Sequence, residues 1–338
     1  MILNFKSYLS DIGRFVIVFK GKPIVNYLKI LLAFYVSRFT GKIITGPYPF
    51  AYSAEVSSRC NLNCPECIIG MGKIKRKKDY LDSTVFEKLL NETSGQGFYV
   101  NLYFQGEPFL NQNIFEYILK AKAKKFYTVI STNAHFLNEE NNKKIIDSKL
   151  DRLLVSVDGI TRETYTCYRK NGQFNKVISG IKNLAQQKNI KKASHPLIVL
   201  QFLVHRKNEH ELRDLKSFAK NLGVDMVQIK TMQFNSYESI EKFLPLNEKY
   251  RRYKKGDDGV WRVKVITRGA CFRIWSQVVV TSDGNIVPCC YDKIPEHVLG
   301  NINEQTLAEI WKSEKFDLVR KSLLSNKNTP KICRNCYY

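Results

Sequence analysis

Residues 51–67 read AYSAEVSSRCNLNCPEC. The short run Tyr52 to Val56 has the character of a strand, and directly behind it Cys60, Cys64 and Cys67 place three thiols within eight residues. Three thiolates so close in sequence reach one group if the loop wraps round it. An iron–sulfur cubane held by only three cysteines keeps one iron open, and an open iron can bind a substrate. A structural zinc knuckle would want a fourth local Cys or His, and ordinary ferredoxin clusters use shorter spacings.

Outward from this stretch, residues 51–230 alternate short apolar runs with helical patterns, the signature of a parallel sheet. Strands are expected at Tyr52–Val56, Phe98–Phe104, Tyr127–Ser131, Arg152–Val157, Leu197–Leu203 and Met226–Lys230. One-faced helical patterns lie between them, such as Val85, Phe86, Leu89 and Leu90, or Leu212, Leu215, Phe218 and Leu222. With right-handed crossovers these units make an α/β fold, a partial (βα)6 TIM-like barrel whose functional groups gather at the C-terminal ends of the strands. Residues 235–265, polar and poorly periodic, read as a linker. Asp283-Gly284 suits a two-residue hairpin turn, which would pair Cys289 with Val278 and Cys290 with Gln277. Because neighbours in a strand point to opposite faces, only one of the two cysteines is expected to reach a shared site; the apolar side favours Cys289, and a bulge after Pro288 would reverse the choice. One helix is expected over Thr306 to Leu324. The expected organisation is therefore 1–50, an N-terminal helical appendage; 51–234, the barrel; 235–265, the linker; and 266–338, a β-hairpin plus helix.

The chain has 338 residues, 44% of them apolar, enough for a sizeable core, and 54 Lys and Arg against 31 acids give a net charge of +23. That excess calls for an anionic partner or surface. Nine cysteines, eight of them at metal-site spacings, argue against a disulfide framework and for a reducing, cytoplasmic compartment. Residues 24–39 are the most apolar, yet Lys29 and Arg38 interrupt them and they fall short of a membrane span. Two partners stay open for this helix: the enzyme body, or a membrane surface attracted by Lys20, Lys22, Lys29, Arg38 and Lys42. The run NLYFQG at 101–106 continues into Glu107-Pro108 and is read as native.

Cys, three residues, Cys, two residues, Cys after the first strand of a partial barrel resembles the radical S-adenosylmethionine (SAM) superfamily, over residues 51–230. The resemblance implies that Cys60, Cys64 and Cys67 hold a 4Fe–4S cluster whose open iron chelates SAM. One electron would then cleave the sulfonium and yield a 5′-deoxyadenosyl radical that abstracts hydrogen from a substrate. Gly106, Glu107 and Pro108 match the family motif whose backbone and acid receive the methionine amine, with Gln105 where the family has a first glycine. Ser131, Thr132 and Asn133 after the third strand, and Ser156 and Asp158 after the fourth, stand where the family has polar groups beside the cofactor. Thr132 and Asp158 equally suit helix N-caps. Arg169, in a Tyr-rich segment, would hold a carboxylate through its planar fork or form a surface salt bridge. His135, His205, His210 and His297 lack metal-like partners, and no catalytic base is legible.

Cys271, twelve residues, Gly284, four residues, Cys289, then Cys333 and Cys336, resemble a SPASM or twitch domain of the same superfamily. The resemblance implies a closed auxiliary 4Fe–4S cluster on Cys271, Cys289, Cys333 and Cys336. The same four thiols would also serve zinc. One auxiliary cluster is expected, since the sequence runs two residues past Cys336. The resemblance implies a reducing partner such as flavodoxin or ferredoxin and an unidentified substrate, with a lean to a carbohydrate or carrier-linked small molecule. A peptide substrate is the alternative. The basic run Lys73, Lys75, Arg76, Lys77 and Lys78 would suit RNA or a solvated face, and nucleic acid is not the expected partner. A non-catalytic electron-transfer protein would have both clusters closed.

Overall fold

A computed structural model describes residues 1–74, 76–264 and 271–336. Lys75 of the basic run, the expected boundary at 265–266 and the last two residues lie outside the described residues. Six strands, β1 (Ala51–Ala54), β2 (Tyr99–Asn101), β3 (Tyr127–Thr132), β4 (Arg152–Ser156), β5 (Leu197–Val204) and β6 (Met226–Thr231), pair in parallel in chain order. Among the described residues β6 has no pairing back to β1, so the barrel is incomplete. Helices α3 (Ser83–Thr93), α4 (Ile114–Ala123), α5 (Glu139–Asp147), α7 (Phe174–Ile190) and α8 (Leu215–Leu222) bury Phe86, Tyr117, Ile145, Ile181 and Ala219 with the strand residues Tyr52, Val100, Ile130, Leu153 and Leu200. The other strand face gathers Tyr127, Val129, Leu154, Leu197 and Val199 into a separate apolar cluster. A parallel strand buried on both faces reads as a continuous apolar run, which is why these six were visible in the sequence.

Helices α1 (Phe5–Val18) and α2 (Lys22–Thr40) lie across the N-terminal ends of the strands. Phe15 and Val18 of α1 pack on the inner-face cluster. Buried Asp11 takes the Tyr127 hydroxyl and pairs with Arg14 and Arg152. The Met1 ammonium donates to Val227 O at 2.7 Å. Asn26 Nδ2 of α2 donates to Tyr48 O and Gln96 O, both at 3.0 Å, while Phe34 meets Phe272 and Trp275 edge-on. The enzyme body is thus one partner of this segment.

The C-terminal hairpin departs from its expected register. Strands β9 (Gln277–Val280) and β10 (Asn285–Val287) pair Val280 with Ile286 and Val279 with Val287, one residue away from the two-residue turn. Thr281 N donates to Asn285 O at 2.9 Å around a loop of Ser282, Asp283 and Gly284. Gly284 sits at φ +85°, and a side chain there would come within 2.2 Å of Asn303 Nδ2. This is the three-residue loop with a left-handed last residue, and it moves the register by one. The ladder ends at Val287, so strand alternation does not decide between Cys289 and Cys290. β9 also pairs in parallel with β1, and Gly300–Asn301 (β11) closes a nine-stranded sheet.

Two further expectations change. Residues 235–264 are not a bare linker: α9 (Tyr237–Phe243) and a hairpin of β7 (Tyr253–Lys255) and β8 (Trp261–Val263) bury Ile240, Phe243, Leu244, Tyr253 and Val263 beside Leu62, Cys64 and Tyr168. Their apolar positions are too widely spaced among charges to give a periodic signal. The single helix over Thr306 to Leu324 is two, α11 (Leu307–Trp311) and α12 (Glu314–Ser325), because Ser313 caps α12 by accepting from Phe316 N.

Candidate active site

The cysteine loop is tied down on every side. Buried Glu55, just past β1, forms a two-pronged pair with Arg76: Nε to Oε2 at 2.8 Å and Nη2 to Oε1 at 3.1 Å. Glu55 also accepts from Ser282 N at 3.0 Å, joining the loop's far end to the C-terminal hairpin. Arg76 is therefore an internal counter-charge and no part of a nucleic-acid surface. Glu66, between Cys64 and Cys67, accepts from Asn235 N at 2.7 Å. Gly106 stands at φ +70°, where a side chain would fall 2.4 Å from Ser57 O and 2.7 Å from Arg59 O. Glycine is needed there both for the left-handed backbone and for this close approach, and the next residue's N–H donates to Arg59 O at 2.7 Å.

At the strand ends, Cys60, Cys64 and Cys67 line one cavity together with Gly106, Glu107, Ser131, Thr132, Asn133, Ser156 and Arg169. Pro108, next to Glu107, and Asp158, the partner of Arg169, are buried and do not line it. Glu107 holds the end of β2 to the end of β3: its carboxylate accepts from Thr132 Oγ1 and Asn133 N, each at 2.7 Å, and from Phe109 N at 3.2 Å. Burial pushes its pKa up to about 7 against those hydrogen bonds. Asn133 Nδ2 reaches Asn61 Oδ1 at 2.8 Å and Cys60 Sγ at 3.7 Å, so β3 also positions the cysteine loop. The cap of α5 is Asn138, and Thr161 caps α6 (Arg162–Tyr168), so neither Thr132 nor Asp158 is a helix cap. Asp158 instead accepts from Arg169 Nε at 2.6 Å and Leu203 N at 2.9 Å. This pair is largely buried, not a surface bridge, and Arg169 Nη1 lies 3.9 Å from Cys64 Sγ.

The donor set fits an iron–sulfur cluster. Cys60, Cys64 and Cys67, the three thiols of the cysteine loop, line one cavity, and thiolates are the ordinary ligands of iron–sulfur clusters. Burial pushes the Cys60 thiol up to about 11 and raises that of Cys64, the latter opposed by Arg169. Loading such a site releases protons, and Arg169 is the cation at hand to balance the thiolate charge.

In the C-terminal part, burial raises the thiols of Cys271, Cys289 and Cys333, the last to about 12. Neighbouring thiols raise each further: Cys336 raises Cys271; Cys290, Cys333 and Cys271 raise Cys289; and Cys271 and Cys336 raise Cys333. Cys290 accepts from Arg273 Nη1 at 3.1 Å and is within electrostatic reach of Tyr103, Lys230 and Lys293 as well as of Cys289.

Sequence reading missed Glu55, Glu66 and Lys293, and it named His135 only as a residue without metal-like partners. Buried His135 accepts from Gln173 N at its Nε2 (2.9 Å) and meets Asn133 Oδ1 at its Nδ1 (2.9 Å), which makes it a neutral bridge between the β3 end and α7. Lys293 Nζ lies 3.0 Å from Gln233 Oε1, and burial lowers its pKa. A charged residue inside an apolar run, as Glu55 is, was the one available signal.

The family model of the radical SAM superfamily matches residues 54–219, and that of SPASM, an iron–sulfur cluster-binding domain, matches residues 271–337. PqqA peptide cyclase of Gluconobacter oxydans is 24% identical over 310 residues, 85% of this chain and 82% of that protein. The crystal structure of BtrN in complex with AdoMet and 2-DOIA superposes with a TM-score of 0.53 at 20% identity, over 87% of this chain and 95% of that one. Streptococcus suis SuiB bound to precursor peptide SuiA superposes with a TM-score of 0.60 at 13% identity, over 82% and 67%. The chain belongs to the radical SAM superfamily: it is an enzyme of 4Fe–4S clusters and SAM, with a SPASM domain in its C-terminal part.

Proposed function

We propose that the enzyme reductively cleaves SAM to abstract hydrogen from a carbohydrate or carrier-linked small molecule, with Cys60, Cys64 and Cys67 holding the SAM-binding cluster and Cys271, Cys289, Cys333 and Cys336 holding one auxiliary 4Fe–4S cluster. The observation that carries this reading is that, among the described residues, three thiols, Cys60, Cys64 and Cys67, open onto a cavity walled by Ser131, Thr132, Asn133 and Ser156. When bound, cluster and SAM supply one-electron cleavage of the sulfonium and hydrogen abstraction. The chain's own residues do the rest. Gly106 lets the β2 loop lie on the cysteine loop, Glu107 fixes the ends of β2 and β3 together, and Asp158 orients Arg169 toward Cys64. Leu62, Tyr168 and Leu203 make the apolar wall that keeps water from the site. Flavodoxin or ferredoxin would deliver the electron.

The small-substrate reading is supported by the match to BtrN over 95% of that chain and by the use of residues 5–40 as a cover beneath the barrel. A peptide substrate is the second reading, favoured by the 24% identity to PqqA peptide cyclase across 85% of this chain. Perdeuterated substrates separate the two: deuterium recovered in 5′-deoxyadenosine from a glycan carrier and not from peptides supports the first, and the reverse supports the second.

A further inference from the structure

Helix α1 is apolar on its outer side as well as where it packs. Its inward face carries Ser7, Asp11 and Arg14 beside Phe15 and Val18, while Phe5, Leu9, Ile12, Val16 and Ile17 face solvent, Ile17 being 67% exposed. Helix α2 repeats the pattern on its outer side. Val25, Leu28, Leu32, Tyr35 and Phe39 recur at spacings of three and four and form one exposed stripe, with Leu32 at 66% and Phe39 at 83% exposure. Both helices turn their inner faces to the N-terminal ends of the strands: Phe15 and Phe19 touch Phe98 just before β2, Tyr27 touches Phe50 just before β1, and Asp11 holds the first residues of β3 and β4. The two apolar stripes therefore look away from the barrel on the side opposite the cysteine cavity.

The charges around them have one sign. Residues 1–50 contain seven Lys and Arg and a single acid, Asp11, which is buried and paired with Arg14 and Arg152. The turns before β3, β4 and β5 add exposed Lys124, Lys125, Lys149 and Lys192 at the same end. A second copy of the chain would bring two such basic faces together, which repel. An anionic bilayer complements both the cations and the apolar stripes, and this is the composition of helices that lie in a membrane interface. No described helix is long and apolar enough to cross a membrane, so contact through this face is in plane.

We propose that the outer face of α1 and α2 docks on an anionic lipid surface, with the catalytic mouth turned away from it. The full-length protein is floated with phosphatidylcholine vesicles with and without phosphatidylserine, at low and high salt. It should float only with phosphatidylserine and lose binding as salt rises. Ile17→Ser/Leu32→Ser/Phe39→Ser should remain unbound while keeping the parent's circular dichroism, since all three side chains are exposed. A second variant, Lys20→Gln/Lys22→Gln/Arg38→Gln, should partition roughly a hundredfold more weakly, at about fivefold per cation. Flotation of the parent on neutral vesicles alone, or flotation of both variants as complete as the parent's, overturns the proposal. So does sedimentation showing a dimer that the serine variant loses, which would make a second copy the occupant. The readout needs no cluster and no substrate, so it stands apart from the catalytic reading.

Discussion

Arg76→Met should cost the protein far more than one surface charge. The Arg76 and Glu55 side chains are 1% and 0% exposed, and the pair ties the cysteine loop to the first strand and, through Ser282, to the C-terminal hairpin. Removing one partner of a buried pair leaves an uncompensated charge, worth about 3–5 kcal/mol. At about 2.1 cal/mol/K per residue, unfolding 338 residues carries about 0.7 kcal/mol/K, so the melting temperature should fall by about 4–7 °C. The loss also depends on pH. Burial already raises the Glu55 pKa above its ordinary 4.5, and Arg76 is the main influence that opposes it. A carboxyl that keeps its proton in the folded state makes stability fall as pH rises through the window above 4.5. Without Arg76 that window extends upward, so the deficit of the variant should grow from acid to neutral buffer. Glu55→Gln/Arg76→Met should regain most of it, because the buried charge is then gone. Melting curves of anaerobically reconstituted proteins across pH supply the data. A drop near 1 °C, or a deficit that is flat with pH, would refute the reasoning.

Cys290→Ala should keep the full iron content, whereas Cys289→Ala should lose or damage the auxiliary cluster and spare the first; iron analysis and electron paramagnetic resonance of both variants read this, and the opposite pattern exchanges the roles. Gly106→Ala should strip SAM binding, because its methyl group would press on the Ser57 and Arg59 carbonyls, and unchanged SAM affinity by calorimetry would contradict the contact. Burial pushes the His205 pKa down to about 4 from 6.5, so the native ring stays neutral while the unfolded one gains a proton. Stability should therefore fall by up to about 3 kcal/mol as pH drops through that window, and His205→Gln should flatten the decline in denaturant titrations.

The six parallel strands and the first cysteine triplet were legible because each is a local signal, a run of apolar residues or a fixed spacing. What escaped the sequence depends on contacts far apart in the chain. β9 joins β1 across more than 200 residues, and no local pattern announces that pairing. The hairpin register hung on whether Asp283-Gly284 was the whole loop or its last two residues, a choice made by the side chains of Asn301 and Asn303, which donate to Asp283 O. Arg76 sat inside a basic run and looked solvated until the fold brought it to Glu55. The apolar residues of α1 would ordinarily be assigned to the core, and here Phe5, Leu9, Ile12, Val16 and Ile17 stay exposed while Asp11 and Ser7 are buried beside Phe15 and Val18. Arg169 was singled out by type, but only the fold supplies Asp158 as its partner and Cys64 as its neighbour.

The central claim is that the cluster on Cys60, Cys64 and Cys67 leaves an iron free for SAM. Anaerobically reconstituted protein, reduced in the presence of SAM and without substrate, should release 5′-deoxyadenosine, and Cys64→Ala should abolish that release while its auxiliary-cluster signal persists in electron paramagnetic resonance. Release by Cys64→Ala at the parent rate would contradict the account.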